Sequence, residues 1–190
     1  MADLKSVIID IVGIEMGHWR CRMHYSIGVE YALHSLVLLI SVPDSTSLGI
    51  RDIATYLGVQ DSYLSKTFTK LAKAGLVSSL PGVKGGYQLA RSPAQISLWE
   101  VVEAIEGPTP IFRCTEVRRR SVLFQGQELP DYVRCSPCLI NVVMLEAEQQ
   151  MRSYLQDHSL AGLHEDLQQK LPPAHQEASQ RWIHEAVNRR

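Results

Sequence analysis

Four cysteines and one Glu–His pair are the side chains of this sequence whose types and spacing can do chemistry. Cys114, Cys135 and Cys138 fall in one stretch with the spacing Cys-x20-Cys-x2-Cys, and Cys21 stands far upstream. Thiolates bind soft metals and iron–sulfur clusters, and they also exchange disulfides. Cys135-x2-Cys138 is half of a zinc site or a redox pair, and no second pair completes a zinc set. Glu30 and His34 are four residues apart. On a helix that spacing projects both from one face, where they can chelate a single centre. Taken singly, Glu30 reads as a solvated carboxylate and His34 as a satisfied helix histidine; the joint spacing makes them candidate ligands. The other histidines (His18, His24, His158, His164, His175, His184) show no such pairing and read as surface residues, and Cys21 as incidental.

The elements that position these residues are those of a globular protein. Of the 190 residues 45% are hydrophobic and 21% charged, which excludes wholesale disorder, collagen-like repeats and a disulfide-stapled miniature fold. The longest apolar run, Leu36 to Val42, is far short of the roughly 20 residues a membrane span requires. Asp3, Asp10 and Glu15 break the pattern of a secretory signal. A cytoplasmic protein without membrane contact is expected, in which cysteines are seldom disulfides.

Residues 1–22 read as an N-terminal extension, disordered or loosely packed. From Ser26 to about Ser41, Ile27, Val29, Ala32, Leu33, Leu36, Val37 and Ile40 recur at helical spacing. Ile50, Ile53, Ala54 and Leu57 mark a second helix ended by Gly58. Asp61 is expected to cap a third, with Leu64, Phe68 and Leu71 inside and Lys66, Lys70 and Lys73 outside. Two helices joined by a glycine turn, the second carrying basic residues, form a helix-turn-helix pattern. Leu76 to Leu80, the turn from Pro81 to Gly86, and Tyr87 to Ala90 then read as a β-hairpin, with Lys84 at its tip. Net charge is −1, yet from Arg51 to Arg91 six basic residues face only Asp52 and Asp61. This local excess is the footprint of a nucleic-acid reader.

Ser97 and Glu100 have capping-box spacing in front of Val101, Val102 and Ile105, a helix that ends at Gly107-Pro108. The cysteine-bearing loop 108–138 follows. Leu139 to Tyr154 reads as a long helix with Ile140, Val143, Met144, Ala147, Met151 and Leu155 on one stripe. Too little domain remains to cover that stripe, so a partner helix and a homodimer are expected. The reading is thus mainly α: a winged helix-turn-helix domain over 23–107, the loop 108–138, a dimerisation helix with a short following helix over 139–170, and a tail over 171–190. A short amphipathic helix is expected in the tail around Trp182, Ile183 and Val187. Trp99 reads as core or dimer packing.

Tyr31-Ala32-Leu33, Ser62-Tyr63-Leu64, Ala74-Gly75-Leu76-Val77, Gly85-Gly86-Tyr87 and Val101 to Gly107 occur in this order. Together they resemble the Rrf2 family of bacterial winged-helix transcription regulators, with members of IscR, NsrR and RsrR type, over about Met23 to Leu163. The resemblance implies a homodimer that reads a palindromic double-stranded DNA operator and holds an iron–sulfur cluster. The likeness is greatest to the RsrR type, in which a Glu and a His on the first helix and two loop cysteines hold a [2Fe–2S] cluster. By that likeness Glu30 and His34 of one subunit and Cys114 and Cys138 of the other are the ligands, with Cys135 as substitute for Cys138. The resemblance also implies that the oxidised form binds DNA and reduction releases it. Two departures stand: the cysteine spacing differs from the compact loop of IscR and NsrR, and Pro81 occupies a wing position where relatives often carry Arg.

The expected function is that of a redox-sensing, DNA-binding regulator, a repressor and not an enzyme. Ser62, Tyr63, Ser65, Lys66, Lys70 and Lys84 are its expected DNA contacts. The alternative is a regulator of the same fold without a cluster, switched by thiol chemistry of Cys135 and Cys138 or by a protein partner. A small metalloenzyme is disfavoured, because no oxyanion donors or phosphate loop accompany the ligands.

Overall fold

The protein is described by a computed structural model covering residues 25–43, 46–82, 85–108 and 110–189. The expected extension 1–22, His24 and the wing-tip Lys84 lie outside the described residues. Helix α1 (Ile27–Ile40) is the centre of the domain. Val29, Ala32, Leu36 and Leu39 recur along one face and are buried. They face α2 (Ile50–Leu57), α3 (Asp61–Lys73) and α4 (Leu98–Glu106), all of which pack on α1.

Helix α2 ends at Gly58, whose φ of 67° lies in the left-handed region that disfavours a side chain. The turn then leads into α3, where Leu64, Thr67, Phe68 and Leu71 point into the core. Asp61 was expected to cap this helix. Gln60 takes that place instead, and Asp61 is the first helical residue, 4.0 Å from the Arg51 guanidinium. Its charge still lies at the positive end of the helix dipole.

Strands β1 (Val77–Leu80) and β2 (Gly86–Leu89) form the wing as an antiparallel pair, with Val77 opposite Leu89 and Leu80 opposite Gly86. The wing is held from two sides. Leu48 and Tyr87 exchange amide–carbonyl bonds of 3.1 and 2.7 Å, and the Phe68 ring packs 4.7 Å from that of Tyr87. At Gly85 a Cβ would sit 2.3 Å from the Leu80 carbonyl oxygen, so the turn accepts only glycine there.

The capping box of α4 forms in full: Ser97 Oγ accepts from the Glu100 amide at 3.2 Å, and Glu100 accepts from the Ser97 amide at 2.8 Å. The loop 108–138 is less irregular than expected. It contains 3-10 turns at Val117–Arg120 and Val122–Phe124 and the one-turn helix α5 (Asp131–Arg134). Helices α6 (Leu139–Gln156), α7 (Leu160–Lys170) and α8 (Pro173–Asn188) complete the chain.

The stripe expected on α6 divides. Met151 and Leu155 pack against the core, and Trp99 is buried beneath the guanidinium of Arg152, 4.8 Å from the ring centre. Ile140 and Val143 are instead 67% and 61% exposed, with Leu139 and Tyr154 exposed beside them. Among the described residues no helix is long and apolar enough to cross a membrane.

The tail is not an appendage but a 16-residue helix docked on α2. Trp182 meets the Tyr56 ring edge-on at 4.9 Å, Tyr56 Oη and Ser179 Oγ are 2.7 Å apart, and Ile183 and Ala186 are buried. Ile183→Ala is expected to lower unfolding free energy by about 2 to 5 kcal/mol. Tyr56→Phe is expected to lower it by about 0.5 to 1.5 kcal/mol. Urea denaturation of the full-length chain checks both; wild-type stability for Ile183→Ala would show that α8 does not hold this position in solution.

Candidate metal centre and nucleic-acid interface

The outer surface of α3 follows from its inner one. With Leu64, Phe68 and Leu71 committed to the core, the helical period turns Ser62, Ser65, Lys66, Thr69 and Lys73 to solvent. Hydroxyls and ammonium groups are thus aligned along one exposed ridge, suited to phosphates and base edges. Ser65 Oγ donates to the Asp61 carbonyl at 2.8 Å, which leaves its oxygen free to accept.

Two expected contacts are placed differently. The Tyr63 ring stacks edge-on with Tyr31 of α1 at 5.5 Å, so much of it serves to join α1 to α3. Lys70 Nζ donates to the Ile105 carbonyl at 2.6 Å. It satisfies the C-terminal end of α4, and the exposed ammonium keeps further donors for the ridge. Thr69 was absent from the expected contacts, although the periodicity that exposes Lys66 and Lys73 points to it as well.

The candidate ligands fall into two pairs. Glu30 and His34 are both exposed on the outer face of α1, where they border an apolar hollow completed by Tyr25, Val37, Leu163 and Leu167. Cys114 and Cys138 form the second pair at opposite ends of the cysteine segment. Among the described residues no group of three or more His, Cys, Asp or Glu is arranged to hold a metal ion.

Cys138 precedes the first turn of α6, and no side-chain cap bond of ordinary geometry forms there. The Asn141 amide, aimed at the sulfur from that first turn, is still the main influence holding the thiol below its usual range. Partial desolvation opposes it, while the Ile140 amide, the neighbouring Cys114 thiol and the Arg118 charge act with it. Cys114 Sγ accepts from the Glu116 amide at 3.4 Å. Cys135 is exposed at the end of α5, its amide bonded to the Asp131 carbonyl. The fold thus seats Cys138, not Cys135, beside Cys114.

The surroundings of this pair went unread in the sequence. Arg118, Arg119 and Arg120 follow Cys114 closely, and that run of three arginines was the available signal. Arg118 Nε meets Glu116 Oε2 at 2.9 Å, and its two terminal nitrogens donate to the Tyr132 and Ser136 carbonyls. The Arg118 guanidinium holds the Glu116 carboxyl below the usual range. Arg119 reaches Glu116 at 3.3 Å and the Arg134 carbonyl at 3.5 Å, and Arg120 donates to Thr115 Oγ1 at 3.1 Å. Glu148, also unforeseen, is buried in α6; it accepts from the Ile111 amide at 3.1 Å and from Arg152 at 2.6 Å.

Comparison with known proteins agrees with this architecture. Residues 25–166 match the family model described as "Rrf2: Iron-dependent Transcriptional regulator". YwgB of Bacillus subtilis (strain 168), which carries the name of an HTH-type transcriptional regulator, is 36% identical over 135 residues, 70% of this chain and 79% of that one. Among solved structures, T. potens IscR covers 81% of this chain and 96% of its own with TM-score 0.59 at 20% identity. The B. subtilis global cysteine regulator CymR covers 75% and 96% with TM-score 0.54 at 21% identity. Both structures share the fold, and α8 lies beyond the matched span. The winged helix, the ridge on α3 and the match over most of the chain place this protein in the Rrf2 family of DNA-binding transcriptional regulators.

Proposed function

We propose that this regulator acts as a homodimer on a palindromic operator and that a [2Fe–2S] cluster controls its affinity. The observation that carries the reading is the division of the donors into two pairs, neither sufficient alone. Glu30 and His34 stand exposed on α1, and Cys114 lies beside a Cys138 whose thiol is biased towards thiolate. Two thiolates, one imidazole and one carboxylate fit the donor chemistry of such a cluster, in which imidazole ligation raises the potential. Bound there, the cluster would supply a one-electron centre.

A second copy is the natural source of the missing pair. The exposed apolar seam of Leu139, Ile140, Val143 and Tyr154 begins directly after Cys138, so covering the seam brings another chain to the cysteines. Glu30 and His34 report to the DNA-binding ridge through α1 itself. Tyr31, one residue from Glu30, stacks on Tyr63 of α3, so any displacement of α1 is passed to the ridge. The redox state that binds DNA, and action as a repressor, follow only from the resemblance to RsrR-type proteins.

A second reading has its own support. The adjacency of Cys114 and Cys138 also suits a thiol–disulfide switch without iron. It uses Cys114 in place of the exposed Cys135. The fold shared with a protein described as a global cysteine regulator is consistent with it.

Iron and acid-labile sulfide analysis of anaerobically purified protein separates the readings. About two of each per chain are expected, lost in Glu30→Ala, His34→Ala, Cys114→Ser and Cys138→Ser but retained in Cys135→Ser. Absence of iron with full operator binding would instead favour a regulator without a cluster, switched by thiols or by a protein partner. For the DNA interface, Lys66→Ala is expected to weaken binding to an operator selected from random duplexes and to reduce the salt slope by about one. The same test on Lys84→Ala addresses the wing. Unchanged affinity and slope in both variants would reject this docking.

A further inference from the structure

We propose that Arg118 is the positioning residue of the sulfur pair: it bridges the two chain segments that carry Cys114 and Cys138 and so fixes the distance between the two sulfurs. The inference rests on the reading of Cys114 and Cys138 as the functional pair, and it holds whether they bind a cluster or form a disulfide.

The two cysteines sit at opposite ends of a segment built of turns and a single helical turn, and such a segment does not hold its ends in register by itself. Its first arm runs from Cys114 to Arg120, and its second from Asp131 to Cys138. Arg118 spans them with one planar group. Nε donates to Glu116 Oε2 at 2.9 Å on the first arm, and the terminal nitrogens donate to the Tyr132 and Ser136 carbonyls on the second. A line of contacts runs from the Cys114 sulfur to the backbone just before Cys138. Cys114 Sγ accepts from the Glu116 amide, Glu116 holds Arg118, and Arg118 holds Ser136, two residues before Cys138.

The backbone at Glu116 shows the same constraint. Its φ is 52°, the only positive value at a non-glycine residue among those described. A side chain rarely adopts that conformation unless its surroundings over-determine it. Here the surroundings are the amide-to-sulfur contact on one side and two arginines on the other. Arg120 binds within the first arm, and Arg119 crosses with one long bond to the Arg134 carbonyl; Arg118 alone makes two bonds on the second arm, to the Tyr132 and Ser136 carbonyls. Lysine keeps the charge but lacks the rigid fork needed to meet three acceptors at once.

The test uses the full-length chain without iron in a Cys21→Ser, Cys135→Ser background. An azodicarboxamide oxidant takes two electrons and two protons from the two thiols and is reduced to the hydrazine, while the Cys114–Cys138 S–S bond forms. Mass spectrometry after alkylation gives the rate. Arg118→Gln and Arg118→Lys are both expected to slow closure at least tenfold with an unchanged circular dichroism spectrum. Glu116→Gln, which breaks the bridge from its other end, is expected to slow it as well and serves if an Arg118 variant fails to fold. In iron-loaded protein, Arg118→Gln is expected to lower the midpoint potential, because a positive charge beside the sulfurs favours the reduced state. Closure at the wild-type rate in Arg118→Gln, or a rate restored by Lys, overturns the bridge. Slowed closure in a protein that never holds iron retains the bridge and rejects the cluster.

Discussion

The close packing of α1 against α3 and α4 is the contact on which the rest of the molecule depends. It is close because the contact residues are small. At Gly28 a Cβ would come within 3.1 Å of Ile105 Cγ2, and Ala32 is fully buried. The ends are tied as well: the Ser26 amide donates to Glu106 Oε1 at 2.7 Å, and Lys70 of α3 closes the triangle on the Ile105 carbonyl. One face of α1 is therefore committed to the DNA-reading core. The opposite face leaves Glu30 and His34 exposed, the placement that the proposed ligation requires. The 3.6-residue period of a single helix separates these roles by one or two positions, so neither face can move without the other.

The cysteine segment is anchored to α6 at both ends. It finishes at Cys138, where α6 begins, and near its start the Ile111 amide is held by Glu148, on the third turn of the same helix. A buried carboxylate is costly unless fully partnered. Glu148 is partnered by the Ile111 amide and by Arg152, whose guanidinium also lies over Trp99 of α4. Trp99, Arg152, Glu148 and Ile111 thus form a polar and aromatic bridge from the DNA-binding domain to the cysteine segment. Helix α6 thereby anchors the ends of the segment, and within it Arg118 joins the two arms that carry the sulfurs.

Much of this was legible in the sequence, for identifiable reasons. The bounds of α1, α2 and the wing, and the capping box of α4, follow from local periodicity, turn glycines and a four-residue signature; each is decided within a few residues. What escaped depends on long-range partners. The α6 residues of one apparent stripe divide because the core reaches Met151 and Leu155 but not Ile140 and Val143. Lys70 has the spacing of a phosphate contact, and its additional bond to a carbonyl of α4 is not visible in that spacing. The tail's apolar residues gave only a weak pattern, whose meaning depends on Tyr56 of α2 being free to receive Trp182. Glu148 and the three arginines also bind backbone atoms, and those partners leave no complementary residue type in the sequence to betray them.

The two chemical readings of Cys114 and Cys138 are mutually exclusive within one molecule, and that constrains what the site can report. A disulfide uses the same sulfur lone pairs and the same close approach that ligation needs, so a chain whose pair is oxidised cannot present either thiolate to a metal. Donor protonation works in the same direction for both fates. The bias of Cys138 towards thiolate, set chiefly by the Asn141 amide at the start of α6, favours ligation and nucleophilic attack alike. What separates the fates is the second half-site. Glu30 and His34 add nothing to a disulfide, whereas under the proposed reading they would complete a four-donor set with another chain's cysteines. Exposed four residues apart on α1, they gain a role under the proposed cluster and remain a solvated carboxylate and a helix histidine under the thiol reading. That asymmetry is the physical ground for preferring the cluster to the thiol switch.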